Sequence, residues 1–424
     1  MLLESNFILQ AGEKKNMIRL AIIGAGNRGM EVYGKLALNY RDDVKVVSIV
    51  EPLDLKRKEC ARQHSVQDEL CFKNYHDFFE KDKLADAVII ANHDQRHYEP
   101  AKLAILKGYD VLLEKPVAVD AAEIRELAGL SKKYPDRLFM VCHVLRYAPF
   151  FQELKKLVDG KSIGRIVNIQ HNENIGYYHF VHSYVRGNWR KVSESSPLVL
   201  AKSCHDMDIL LWLAGSSCKS VSAFGGVAYF NRENAPDYAA PMCKDCKEIN
   251  SCPYSAYKIY LDPEVWPGNV VAPLKTREEL ELKLKEGPYG RCAYYCDNDT
   301  IDHMSSAIEF ANGISAVFSL SAFTANISRT IKIMGTHGEI RGDMLSNQIE
   351  ISVFGSKKDI IVPPVVESGH GGGDLMLFKE FVDCMKDKNR ECLTTVELSL
   401  ESHLMALAAE KSRITKRTVD MDEM

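Results

Sequence analysis

Three glycines, one glutamate and five clustered cysteines carry the chemistry that can be read directly from residue type and spacing. GAGNRG places Gly24, Gly26 and Gly29 in the pattern G-x-G-x-x-G, with Asn27 and Arg28 inside it. The first glycine of such a pattern permits a tight turn, and the second lets backbone approach a pyrophosphate. The third lets helix pack closely on strand, and the helix N-terminus turns free N–H groups toward phosphate. Glu51 follows at the end of the next apolar run, where a carboxylate accepts bonds from the adenosine ribose hydroxyls and repels a 2′-phosphate. NAD is therefore expected in preference to NADP, with Lys56 and Arg57 weighing the other way.

The cysteines fall in CKDCKEINSCPY and GRCAYYC, as Cys243-x2-Cys246-x5-Cys252 followed by Cys292 and Cys296. A C-x2-C pair can turn two thiolates toward one ion, and soft sulfur favours zinc or an iron–sulfur cluster. The surrounding stretch, about residues 236–299, is rich in Pro, Lys and Asp and poor in apolar residues, as in an insertion that lacks its own core and needs a staple. Structural zinc on four of the five is the leading expectation, against free thiols, a disulfide or a cluster. Which of Cys292 and Cys296 completes the set is open at this level. A further loop, SGHGGGD at 368–374, offers His370 and Asp374 as partners for hydroxyls, or is a hinge with Asp374 as N-cap.

These residues need elements to hold them. IRLAII at 18–23 suits a buried parallel strand, followed by a helix over 30–39. Strands at 44–50, 85–91, 109–113 and 138–141 alternate with helices at 55–64, 97–107 and 121–133, the last capped by Asp120. That rhythm predicts a doubly wound, Rossmann-type parallel sheet with right-handed crossovers. Beyond about residue 145 it changes. Strand candidates at 165–171, 220–230, 305–311, 314–323, 329–335 and 348–354 run in succession, and Asn312-Gly313 marks a hairpin. The fold class expected is thus α/β: an N-terminal Rossmann domain at 17–143 and a C-terminal α+β domain at 144–424, built on a large, open, mostly antiparallel sheet. Helices at 375–386 and 395–413 end the pattern, and residues 1–16 read as an N-terminal extension before Met17.

Composition narrows the function. At 424 residues two domains are the default, and 46% hydrophobic with 26% charged residues is ordinary for a globular chain. A formal net charge of -4 supplies no basic field for nucleic acid. No apolar run approaches the roughly 20 residues of a membrane span, and the first residues lack a signal-peptide pattern. A reducing, cytoplasmic setting follows for the twelve cysteines.

GAGNRG, VIIANHDQRHYEPAKLAILKGYDVLLEKP and CHDMDILLWLAG together resemble the Gfo/Idh/MocA oxidoreductases, the relatives of glucose–fructose oxidoreductase and inositol dehydrogenase. The resemblance runs from Met17 to the last helix and is most specific at Glu114-Lys115-Pro116. It implies that Lys115 reaches substrate hydroxyl and nicotinamide, with Glu114 orienting cofactor or lysine. It also implies a catalytic histidine, His205, but the aspartate expected four residues earlier is Ala201, and Lys202 stands one residue later. Lys202 is therefore a third catalytic candidate. Asn92, His93 and His97 correspond to residues on the nicotinamide side, Trp189 and Arg190 to a segment folding over the cofactor. Arg146 and Tyr147 in LRYAP correspond to residues that start the second domain beside the active site, while His179 and His182, in the aromatic stretch YYHFVHSY, either bond sugar hydroxyls or cover the sheet.

The function implied is hydride transfer between NAD and a secondary hydroxyl or ketone of a sugar, inositol or derivative. The alternative is a redox-neutral, NAD-dependent glycosidase or anhydro-sugar hydrolase working through a transient keto-sugar. A sugar-sensing regulator without catalysis would be expected to lack Lys115. A small-molecule partner and a homodimer or homotetramer formed through the open sheet complete the expectations.

Overall fold

The computed structural model describes residues 17–272 and 276–424; the expected extension 1–16 lies outside them. Six parallel strands make the first sheet: β1 Ile18–Ile23, β2 Val44–Val50, β3 Cys71–Phe72, β4 Ala87–Ile90, β5 Asp110–Leu113 and β6 Phe139–Val141. Their order is β3-β2-β1-β4-β5-β6. Ile22 pairs with Ile49 on one side and Ile89 on the other, and all three are fully buried. Each such side chain contributes roughly 1.5–3 kcal/mol relative to an exposed one. The chain reverses its order across β1 and β4, so the crevice beyond their carboxyl ends is where a doubly wound sheet binds ligands. Helix Ala121–Lys133 begins as expected, with Asp120 accepting from Ala122 and Glu123 N–H.

The second sheet has nine strands: β7 Ile166–Asn174, β8 Cys218–Gly226, β9 His303–Phe310, β10 Ser315–Ser321, β11 Ser328–Gly335, β12 Gly338–Asp343, β13 Gln348–Val353, β14 Lys358–Ile361 and β15 Val419–Asp420. Their order is β14-β13-β12-β11-β7-β10-β9-β8-β15, antiparallel except for β7 with β10. Residues alternate exposed and buried along the whole of β9, the period-two signature of a sheet covered on one face. The hairpin at Asn312-Gly313 joins β9 to β10, with Gly313 at φ 83. Helices Pro149–Asp159, Cys204–Ala214 and Val396–Thr415 contribute to the core beneath the covered face. The other face exposes Val167, Phe224 and Val317.

Two departures have physical causes. Helix Gly373–Lys386 does not belong to the second core: Leu377, Phe378, Phe381 and Val382 are buried with Leu20 and Ile22 of β1 and with Tyr33, so this late segment completes the Rossmann core. Helix Val396–Thr415 is not the end of the fold either, because β15 follows it and pairs with β8. The same helix bridges the halves, and His403 Nε2 accepts the Val117 N–H at 3.0 Å. Among the described residues no helix is long and apolar enough to cross a membrane.

Candidate dinucleotide and substrate site

The glycine loop leaves β1 with Gly24 at φ 95, and a Cβ there would lie 2.5 Å from the Asn92 nitrogen. A Cβ on Gly29 would meet the Gly24 carbonyl at 1.9 Å, whereas one on Gly26 meets nothing within 4 Å. Two glycines are thus demanded by packing, and the middle one keeps a face open for a close ligand. The helix that follows starts at Asn27, winds as wide π turns to Gly34 and continues as Lys35–Asn39. Glu51 stands beside the loop: its carboxylate accepts the Ala25 N–H at 2.9 Å and the Leu53 N–H at 3.0 Å. Arg57 donates to the Glu51 carbonyl and pairs with Asp54, so its charge is already engaged. These residues fit a bound dinucleotide, and the partnerless, buried Asn92 Oδ1 adds an unused acceptor at the end of β4.

Arg28 is not a free phosphate ligand. Its guanidinium bridges Glu114 at 2.5 Å and Asp374 at 2.8 Å, and also donates to Tyr33 Oη at 2.7 Å. His370 joins through Asp374 at 3.1 Å. One network therefore ties the glycine loop, the end of β5 and the loop before helix Gly373–Lys386. Asp374 is an ion-pair partner within that helix's first turn, which replaces the expected N-cap role. Burial opposes ionisation of Glu114, but Arg28 and Lys115 outweigh it and hold the carboxyl below its ordinary value.

Lys115 follows directly, and its Nζ donates to the Ala201 carbonyl at 2.6 Å. This places it against the turn that carries Lys202 and opens helix Cys204–Ala214. His205, on the first turn of that helix, is 3% exposed, and its Nδ1 has no partner. Its ring centre lies 5.7 Å from that of His143 and 5.9 Å from that of His370. Burial first, then Lys115 and the neighbouring histidines, hold His205 well below its ordinary pKa. His179 resembles it in part: the residue is half-buried, its Nδ1 is buried without a partner, and its pKa is held well below the ordinary value by desolvation and then by Lys202. Neutral imidazoles with a free nitrogen can accept a hydrogen bond or a proton.

Lys202 extends the group into the second sheet. Its Nζ is 3.4 Å from Glu173, which pairs with Arg329; Arg329 in turn holds Asp206 at 2.8 Å, and Asp206 holds His171 at 2.8 Å. Burial lowers the Lys202 pKa, Glu173 opposes that, and Arg329 and Lys115 add to it. Glu173, Arg329 and His171 were not anticipated. Their signal was faint: single charged residues on β7 and β11, strands whose neighbours face the core.

Other expected residues are redirected. Arg146 grips Asp208 with two bonds of 2.7 Å and the Leu393 carbonyl with a third, and Tyr147 bonds Thr394, so both are engaged by protein partners. His97 sits between the carbonyls of Pro116 and Asn92, pinning the two loops that follow β4 and β5. Trp189 lies against the loop after β4: it stacks on His93 at 5.8 Å and donates to Asp94, which Ser196 also holds. Arg190 is paired with Glu194 and Asp297. His182 bonds Tyr260 and stacks on Tyr289, inside the aromatic packing of the cysteine-rich insertion.

The expected zinc is not supported as the cysteines stand. All five are free thiols, and no three His, Cys, Asp or Glu side chains among the described residues converge as a cage for an ion.

Sequence models describing an oxidoreductase family match the chain in both halves: the NAD-binding Rossmann fold over residues 18–143 and the C-terminal alpha/beta domain over 155–421. The chain belongs to the Gfo/Idh/MocA family. It is thereby an oxidoreductase with an NAD-binding Rossmann domain. YteT of Bacillus subtilis, described as an oxidoreductase, is 24% identical over 80% of this chain and 82% of its own. The 2,7-anhydro-N-acetylneuraminate hydratase of Escherichia coli is 25% identical over 50% of this chain and 53% of its own. Inositol 2-dehydrogenases likewise match over about half of their length. Levoglucosan dehydrogenase, solved with NADH and levoglucosan, shares the Gfo/Idh/MocA fold with a TM-score of 0.71, covering 96% of this chain and 100% of the other at 16% identity.

Proposed function

We propose that this Gfo/Idh/MocA protein transfers a hydride between NAD and a secondary hydroxyl or ketone of a sugar, inositol or related polyol. One observation carries the reading: Lys115 directly follows Glu114, which Arg28 of the glycine loop holds, and its Nζ donates to the Ala201 carbonyl in the neighbourhood of His205 and His179, whose Nδ1 atoms are buried without a hydrogen-bond partner. The glycine loop and Glu51 would hold the dinucleotide, whose nicotinamide would supply the hydride acceptor for the carbinol carbon. The hydroxyl proton must then leave the same carbon's oxygen. Lys115 is the group placed to donate a hydrogen bond to that oxygen and steady the charge developing there, and His205 is the neutral imidazole placed to receive the proton. Lys202, still tied to Glu173, supplies a positive neighbour where the usual aspartate is replaced by Ala201. Trp189, stacked on His93, covers the cofactor side and excludes water. The engaged Arg57 and the carboxylate of Glu51 support NAD over NADP. The exposed apolar residues of the second sheet support a homodimer or homotetramer.

A second reading is favoured by the loss of the aspartate at Ala201 together with the hydratase among the relatives. There the same oxidation is transient, and elimination or hydration follows before the hydride returns. A screen of monosaccharides, inositols, glycosides and anhydro-sugars with NAD, following reduced nicotinamide and sugar products together, separates them. NADH that accumulates with a sugar, and does not with Lys115→Ala, supports the dehydrogenase. NAD-dependent bond cleavage without NADH accumulation supports the redox-neutral enzyme, and inactivity with every sugar and polyol defeats both.

A further inference from the structure

Between β8 and β9 the chain runs from Val227 to Asp302, and its described residues add no strand to either sheet. Its own core is small: Ala256, Tyr260, Val271, Leu280 and Leu284 are buried together with Cys243 and Ala272. A segment of that size with so little apolar burial ordinarily needs a cross-link or an ion to hold one conformation.

The structure brings Cys243, Cys246, Cys252 and Cys292 around one cavity of about 20 Å³. That is room for a single water-sized particle, yet a buried water also requires two to four polar partners. Apart from the sulfurs, the lining side chains are apolar or aromatic except for Ser255, which is fully buried and whose Oγ has no partner. Cys296 is left out: its Sγ donates to the Cys292 carbonyl at 3.4 Å, and it does not line the cavity.

Cys243 meets two donors, one of them a cation, beside the Arg291 carbonyl at 3.7 Å, and Cys246 lies 3.7 Å from the Tyr238 carbonyl. Cys243 Sγ receives the Ala256 N–H at 3.5 Å and an Arg186 N–H at 3.5 Å. Arg186 is 2% exposed, bonded to the carbonyls of Arg291 and Tyr254, and its Nη1 has no partner. A guanidinium buried among neutral thiols is poorly compensated. Donors aimed at sulfur, and a buried positive charge beside it, suit thiolates and the outer shell of a thiolate-bound metal.

We infer that Cys243, Cys246, Cys252 and Cys292 close on one soft divalent ion of the zinc type, with Cys296 outside the set. The four sulfurs stand around the cavity without converging, so binding requires them to draw together on the ion. Four S–H bonds are lost, their protons pass to solvent, and four metal–sulfur bonds form. The centre then carries a net charge of about -2, from four thiolates and one divalent cation, which Arg186 partly offsets. The cavity admits one ion and not a four-iron cube, which favours a mononuclear centre over a cluster. The ion would clamp the insertion to Arg186, the last residue of the helical segment Tyr177–Arg186 that also carries His179.

The test is metal analysis of the full-length chain purified without chelators, beside cadmium titration of the reduced, metal-stripped chain read by sulfur-to-cadmium charge-transfer absorption. About one zinc per chain, and a titration saturating at about one cadmium with four thiolates, is expected. Cys296→Ser should retain the ion, and Cys292→Ser should lose it. Dinucleotide binding by each variant shows that it has folded; should Cys292→Ser fail to fold, the unmodified chain and Cys296→Ser decide. Less than a tenth of an ion per chain together with no cadmium uptake overturns the inference. So does loss of the ion from folded Cys296→Ser, or iron with visible cluster absorption.

Discussion

Two buried charge networks flank Lys115, and they are built differently. On the cofactor side, Arg28 holds Glu114 at 2.5 Å, Asp374 at 2.8 Å and Tyr33 at 2.7 Å, and every charge in the group has a partner. On the substrate side, the chain from His171 through Asp206, Arg329 and Glu173 ends on Lys202 at a looser 3.4 Å, next to histidines with unpaired nitrogens. The first network fixes a loop that must present backbone to a ligand. The second leaves groups free to exchange a proton. On the proposed reading, rigidity is concentrated beside the dinucleotide loop, and unused valence beside Lys115 and Lys202.

The largest expected effect breaks the tight network. Arg28→Met leaves Glu114 and Asp374 buried without their cation, which should cost about 3–5 kcal/mol of stability. Because the same residue positions the glycine loop, NAD affinity should fall as well, by about tenfold or more. Arg329→Met strands Glu173 and Asp206 and should destabilise comparably, but its loss should appear in kcat with NAD affinity within about threefold of the parent. Calorimetry and dinucleotide titration of the two variants distinguish the networks. Equal losses of NAD affinity would dissolve the contrast between them.

The cofactor side was the more legible in sequence for a geometric reason. GAGNRG and Glu51 are local, and their spacing encodes the turn, the helix start and the ribose carboxylate. Asp120 and helix Ala121–Lys133 were legible on the same ground. The partner of Arg28 was not, since Asp374 is 346 residues away and its glycine-rich setting suggested a cap or hinge. Arg146 and Tyr147 lie close in the chain to the start of the second domain, which suggested a substrate role, but Asp208, on the facing helix, absorbs the arginine's charge. Strand β12 was missed because GEIRGD holds one apolar residue with a strand-like side chain, Ile340, and relies on its neighbours for pairing. The return of residues 373–386 to the Rossmann core is a tertiary event with no local mark.

A smaller change sharpens the substrate side. In Glu173→Gln the carboxylate that favours the Lys202 ammonium is gone, while burial, Arg329 and Lys115 continue to disfavour it. Lys202 should then deprotonate at lower pH. If its ammonium serves the reaction, the alkaline limb of kcat should move down by about one unit. A full pH–rate profile checks this, and an unmoved limb with reduced kcat would make Glu173 a structural residue only.

The smallest effect concerns stability against acid, and it follows from the histidines that burial keeps neutral. His182 is pushed down to about 4, first by burial and then by Arg186. In the unfolded chain a histidine titrates near about 6.5, so the unfolded state takes up the proton first as pH falls. A depressed histidine therefore removes stability between about 6.5 and about 4, and nothing further below that window. Each pH unit inside it is worth about 1.4 kcal/mol, so His182 should account for about 2 kcal/mol between about pH 6.5 and about pH 5. His179, His205 and His143 are depressed in the same direction. His182→Gln should thus have a lower Tm at neutral pH, through loss of the Tyr260 contact, yet a shallower fall in Tm between about pH 7 and about pH 5, with a slope that the other three histidines keep from vanishing. An unchanged slope would mean that His182 titrates in the fold as it does in the unfolded chain, and the desolvation assigned to the aromatic wall around Tyr260 and Tyr289 would have to be withdrawn.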